Sequence, residues 1–221
     1  MLVVRQSLRE QVREVLLERI GRGVYAAGQR LVEAKLAEEL GISTVPVREA
    51  IRELAGMGVL DFGSHKGAWV REVSLEETIE ALQVRSVLEP LAARLAGEGM
   101  RSHCEALESS CEGIMAAARA RDFVAFQQHN QRFHRTIVEA AGNGALRRAW
   151  LSLAFEVRTR AILDFLAAQD PVAIALEHRP IVAAFEAGDI EAAAGLLANH
   201  SANLVEYLER QYSMTADGVN K

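Results

Sequence analysis

Four side chains of metal-binding type stand where this sequence should be apolar. In "HNQRFHRTIVEA", residues 129–140, a 3.6-residue period puts Phe123, Phe126, Asn130, Phe133, His134, Ile137, Val138 and Ala141 on one helical stripe, with an amide and an imidazole near its middle. His178 shares a face with Ile174, Ile181, Val182 and Phe185, and His200 shares one with Ala193, Leu197 and Leu204. Burying such a polar group without a partner costs about 1–3 kcal/mol, so each must be satisfied by something. A lone inward histidine reads as a core residue; three at the centres of apolar stripes point instead to joint ligation. If their helices converge, three neutral imidazoles and an amide oxygen suit a borderline divalent ion such as Zn²⁺ or Ni²⁺, with positions left for water or a ligand. His129 and His103 match no such position.

Arg85, in "LQVRSVLEPLAARLA", is the best candidate for a second contact to any anionic ligand of such a site, because a guanidinium holds a carboxylate through two parallel hydrogen bonds. Pairing with Glu89, one turn on, is the competing role. Arg158 and Arg160 are weaker candidates. Three histidines with an open coordination position also suit hydrolysis by metal-activated water. No carboxylate or other base stands out beside the histidines in sequence, however, and catalysis there leaves the N-terminal third of the chain unexplained. A binding site rather than an enzyme is therefore expected. A site responding to metal alone, without an organic effector, is the other alternative.

The chain has 221 residues, enough for two modest domains. Its apolar runs fall short of the roughly 18 residues a membrane span needs, and "MLVVRQSLRE" lacks the apolar stretch of a signal peptide, so a cytoplasmic protein without a membrane partner is expected. Cys104 and Cys111 lie on one face of a predicted helix, about 10 Å apart along its axis, too far to bridge each other. Residues 1–72 carry 11 Lys and Arg against 10 Asp and Glu, and residues 73–221 carry 14 against 20, a net +1 against −6. That asymmetry permits a nucleic-acid-binding module attached to an acidic domain.

Residues 1–72 read as such a module. A helix over Ser7–Gly21 is followed by a second over Glu33–Leu40 that ends at Gly41, and a third starts near Pro46 and buries Val47, Ala50, Ile51 and Leu54. "VLDFGSHKGAWVREV" then reads as a β-hairpin around Gly63–Gly67. Three helices and a hairpin make a winged helix-turn-helix, whose third helix enters the major groove of double-stranded operator DNA. Thr44 and Arg52 are placed to reach the duplex, Arg48 to fork onto a guanine or a phosphate, and Val45 to touch a thymine methyl. The wing residues His65, Lys66 and Gly67 suit a minor groove. From residue 73 to 221 the pattern is wholly helical, at about 75–98, 103–119, 122–141, 144–167, 172–187 and 189–212, an antiparallel six-helix bundle. Pro90 is expected to kink the first of these.

"LVEAKLAEELGISTVPVREAIRELAGMGVL" followed by "HKGAWV" resembles the N-terminal module of GntR-family bacterial transcription regulators, specifically those with an FCD effector domain. The resemblance covers nearly the whole chain. It implies a ligand-responsive repressor that binds a roughly palindromic operator as a homodimer and senses a small carboxylate. It also implies that Asn130, His134, His178 and His200 occupy the metal-ligand positions of an FCD domain. Two departures bear on DNA: the family often has Arg where this chain has Ala34 and Thr44, so operator preference should lean on Arg48, Arg52 and the wing. A third bears on the metal. Asn130 stands where Asp is frequent, so the ligands contribute no negative charge; the ion should bind more weakly and attract an anionic effector more strongly.

Overall fold

The computed structural model describes residues 7–63 and 67–219, and the chain forms two compact units, one of residues 1–73 with 151–159 and one of 74–150 with 160–221. In the first unit, α1 (Leu8–Gly21) opens on a reciprocal cap: Glu10 N–H donates to Ser7 Oγ and Ser7 N–H donates to the Glu10 carboxylate. It buries Val12, Leu16, Leu17 and Ile20, and Arg13 pairs with Glu53 of α3 (Thr44–Gly56) at 2.5 Å. Between them lie β1 (Arg30–Leu31) and α2 (Glu33–Leu40). Gly41 stops α2 at φ +66°, a left-handed conformation that glycine adopts without steric penalty, and this makes the tight turn into α3. The third helix begins two residues before Pro46, which its first turn tolerates because the N–H groups there have no intrahelical acceptor.

The expected hairpin is β2 (Leu60–Gly63) with β3 (Gly67–Val70), antiparallel, Leu60 opposite Val70 and Asp61 opposite Trp69. β1 adds a third strand on the far edge of β3. Its two residues are too few for a period-2 pattern, and it did not register in the sequence. Val47, Ala50, Ile51 and Leu54 of α3 meet the buried face of α1 and the sheet residues Leu60, Ala68 and Val70 in one core. Ala154 from the 151–159 segment is buried in the same cluster, with Val157 packed against it.

The second unit is all helical. Ser74 and Glu77 cap α4 (Leu75–Ala96), which runs as one helix through Pro90 and leads by a 3₁₀ stretch to α5 (Cys104–Ala120). Asp122 caps α6 (Phe123–Ala140) by accepting from Ala125 N–H at 3.0 Å. The helix expected over 144–167 is two, α7 (Gly144–Leu151) and α8 (Thr159–Ala168). Between them the chain turns on short i to i+3 hydrogen bonds with Ala154 at φ +49°, and Leu153, Ala154 and Phe155 are buried. Tertiary burial there overrides a locally helical composition. The next expected helix is interrupted only at Glu177, giving α9 (Pro171–Leu176) and α10 (His178–Ala187), and α11 (Ile190–Val219) closes the bundle. The six helical stretches read from the sequence are therefore present, two of them in two pieces.

Candidate functional site

Asn130 and His134, one turn apart on α6, His178 at the start of α10 and His200 on α11 converge inside the second unit. The ligating atoms of the three histidines lie within 4.8 Å of one another. Ring centroids are 5.3 Å apart for His134 and His200 and 4.6 Å for His178 and His200. His134 and His178 are fully buried, and Phe133 presses edge-on against both rings.

Two carboxylates that did not stand out in the sequence orient this cluster. Glu89 of α4 places Oε2 2.8 Å from His134 Nδ1, at ion-pair distance though off a hydrogen-bonding angle. Glu177 places Oε2 2.7 Å from His200 Nδ1. Each holds a ring by Nδ1 and leaves Nε2 available, the carboxylate–histidine arrangement that fixes tautomer and ring orientation at metal sites. His134 Nε2 is buried with no hydrogen-bond partner, which a cation would relieve. His178 faces two acceptors, Asn130 Oδ1 at 2.7 Å from Nε2 and Ala175 O at 3.3 Å from Nδ1. A neutral imidazole has one N–H, so it serves one of them. With the proton on Nδ1, Nε2 and Asn130 Oδ1 turn lone pairs on each other, an arrangement that suits a shared cation.

The electrostatics keep the histidines ready to ligate. Burial, reinforced by the nearby Arg85 guanidinium, pushes His134 down to about 4, and burial with the other two imidazoles pushes His178 well below its ordinary range. Both rings are therefore neutral near pH 7, as a metal ligand must be. Burial alone would raise Glu89, but Arg85, His134 and Trp150 outweigh it and hold the carboxyl at about 2. Arg85 itself is buried, its Nε donating to Glu89 Oε1 at 2.8 Å, so the competing role weighed in the sequence is the one occupied. A cavity of about 40 Å³ adjoins Asn130 and His200, bordered by Gln127, Ile162, Leu166 and Asn203. Gln127 Oε1 is buried there without a hydrogen-bond partner.

In the first unit, Thr44, Val45, Arg48 and Arg52 are all exposed on α3, with Val45 57% exposed. Arg48 Nε donates to Glu33 at 2.8 Å. Ser43 precedes the helix without capping it, which leaves early α3 N–H groups for an anion such as a phosphate. His65 and Lys66 lie outside the described residues. Gly67 is at φ +81° and close to the guanidinium of Arg30, an exposed β1 residue that adds a cation beside the wing and that went unnoticed in the sequence.

The chain matches the family described as bacterial regulatory proteins, gntR family, over residues 8–70, and the FCD domain over residues 80–203. It is 39% identical over 201 residues, 90% of this chain and 88% of the relative, to a probable D-xylose utilization operon transcriptional repressor of Paenarthrobacter nicotinovorans. It is 29% identical over 209 residues, 86% of this chain and 85% of the relative, to an uncharacterized HTH-type transcriptional regulator of Mycobacterium tuberculosis. Among solved structures, E. coli McbR/YncC is similar with a TM-score of 0.78 and 25% identity, over 94% of this chain and 100% of that one.

Proposed function

This chain belongs to the gntR family of bacterial regulatory proteins and carries an FCD domain, and from that premise we propose that it is a cytoplasmic repressor whose hold on operator DNA is set by a small ligand at a metal centre. It is a transcriptional regulator and not an enzyme. No helix among the described residues is long and apolar enough to cross a membrane.

The observation that carries the metal reading is the orphaned, fully buried Nε2 of His134 within the cluster of three histidines. His134, His178, His200 and Asn130 would hold a borderline divalent ion, Zn²⁺ or Ni²⁺, which would supply a Lewis-acid contact for an oxygen of the effector. That effector is a small organic acid. The relative described as a probable D-xylose utilization operon repressor favours an oxygen-rich one, a sugar acid with one carboxylate oxygen in the small cavity beside Asn130 and His200. Arg85 reaches its carboxylate by loosening the pair with Glu89.

On DNA, Thr44, Val45, Arg48 and Arg52 read the major groove, and His65, Lys66 and Gly67 follow the backbone of the minor groove. A homodimer brings two such modules to a two-fold operator. Its surface is the outer face of α4, where Val84, Val87, Leu91 and Leu95 form one stripe and are 49%, 66%, 42% and 47% exposed, an apolar patch that a monomer leaves in water.

Binding of the purified protein to its own promoter and to random DNA, measured by fluorescence anisotropy across salt concentration, tests the first part. Equal affinity for the two overturns it. Repeating the titration with Zn²⁺ alone and with Zn²⁺ plus sugar acids separates effector sensing from metal sensing: a full response to Zn²⁺ alone favours the metal-only alternative.

A further inference from the structure

Glu89 is fully buried and shared among three partners. Its Oε1 accepts from Arg85 Nε at 2.8 Å and from the indole N–H of Trp150 at 2.9 Å, while Oε2 stands 2.8 Å from His134 Nδ1. Trp150 lies next to the end of α7, and the residue after it begins the 151–159 segment that folds as part of the first unit. Four residues beyond the indole, Ala154 is buried in the hydrophobic core that supports α1 and α3. Its φ of +49° is a left-handed conformation that alanine adopts only under constraint, and Leu153, Phe155, Glu156 and Arg158 around it are buried too. Ser152 is exposed, but five of the next six residues are buried, and a segment anchored in this way passes on a displacement at its end where a loose surface loop would absorb it.

We propose that Glu89 and Trp150 are positioning residues that couple the metal centre to the DNA-binding unit, through the covalent continuity of Trp150 with the 151–159 segment. The inference rests on the metal-centre reading above. A cation on His134 Nε2 would withdraw electron density from the ring and strengthen the attraction of Nδ1–H for Glu89 Oε2, 2.8 Å away. Glu89 is fully buried, so a stronger pull at Oε2 is felt at Oε1, where Trp150 is held. Whatever changes the load on the metal thus changes the tether of α7 at the point where the chain enters the first unit. The ligand's effect on the operator is then bounded by its preference between the two settings of this tether.

The chain has two tryptophans, Trp69 and Trp150, so a Trp69→Phe background reports Trp150 alone. Zn²⁺ is the probe, because its closed d shell perturbs the indole only through structure. The expected result is a change in Trp150 emission that saturates at the midpoint of Zn²⁺ binding measured by calorimetry. In that background Glu89→Gln should still bind Zn²⁺, weakened about 10- to 100-fold as for a residue behind a metal ligand, with the emission response lost. With Trp69 restored, Trp150→Phe should keep wild-type Zn²⁺ affinity while the Zn²⁺-dependent change in operator affinity shrinks to less than twofold. Stoichiometric Zn²⁺ binding with silent Trp150 emission overturns the coupling, as does a Trp150→Phe protein with an undiminished operator response. Absence of Zn²⁺ binding to wild type overturns the metal-centre reading itself, and the coupling with it. Where Glu89→Gln fails to fold, Trp150→Phe decides alone.

Discussion

Replacing Asn130 by Asp adds one negative charge to a donor set that has none. Asn130 Oδ1 already lies 2.7 Å from His178 Nε2, so the new carboxylate oxygen stands among the nitrogen donors without rearrangement. Opposite unit charges about 4 Å apart attract by about 4 kcal/mol at an effective dielectric near 20, and a divalent ion doubles that. Withdrawing the carboxylate from water takes back several kcal/mol. The balance is about 2 kcal/mol in favour of the ion, roughly thirtyfold tighter binding. Competition for Zn²⁺ against a chromogenic chelator at pH 7.5 measures it. Without metal the same carboxylate is buried beside neutral rings, so the metal-free Asn130→Asp protein should melt below wild type and gain more in melting temperature when Zn²⁺ is added. His134→Ala supplies the opposite reference, since it removes the donor with the orphaned Nε2 and should weaken Zn²⁺ at least a hundredfold. Asn130→Asp binding no tighter than wild type, with an unchanged circular dichroism spectrum and His134→Ala still binding, would refute the coordination set.

Arg48→Ala should weaken operator binding tenfold to a hundredfold, about 1–3 kcal/mol, while leaving stability nearly unchanged, because its pair with Glu33 is exposed; anisotropy and urea unfolding measure the two effects. Burial and Arg85 hold His134 at about 4 against an ordinary 6.5. The unfolded chain takes up this proton as pH falls through 6.5 and the folded chain resists until about 4, so metal-free protein should lose up to about 3 kcal/mol of stability across that window; a flat urea-unfolding profile would contradict the buried neutral ring. Burial, aided by Glu108, pushes the Cys111 thiol up to about 12. Native protein at pH 8 should therefore leave Cys111 unmodified by iodoacetamide, whereas rapid labelling seen by peptide mass spectrometry before unfolding would show an open thiol. Val87→Glu places a charge in the middle of the exposed α4 stripe and should turn a dimer into a folded monomer by light scattering; an unaltered dimer would move the interface elsewhere.

The inward-facing histidines were legible because they break a local rule: an imidazole or amide at the centre of an apolar stripe is visible from period alone. The recognition helix was legible for the same kind of reason, with Gly41 as a left-handed stop and Pro46 as a first-turn residue. Glu89 breaks the rule as plainly as His134 does, yet the sequence shows it only as a partner for Arg85 and not as a neighbour of the histidines. On α4 both faces are apolar: Ile79, Leu82, Ala92 and Ala93 are buried, while Val84, Val87, Leu91 and Leu95 are exposed, so periodicity does not say which side is in. Glu177 adjoins His178 in sequence but serves His200, a pairing across helices that spacing does not encode.

Local chemistry along the chain thus determined the elements, their order and the residue types able to ligate, because helix period, caps and turn residues act within a few positions. The tertiary structure decided the rest. Asn130 and His178 are 48 positions apart and touch only because α6 and α10 both pack against α5. The sharing of one buried carboxylate by Arg85, His134 and Trp150, and the break at 152–158 that places Ala154 in the core of the first unit, likewise depend on packing between segments distant in sequence. Burial of that kind is a property of the assembled core, and no window of local sequence contains it.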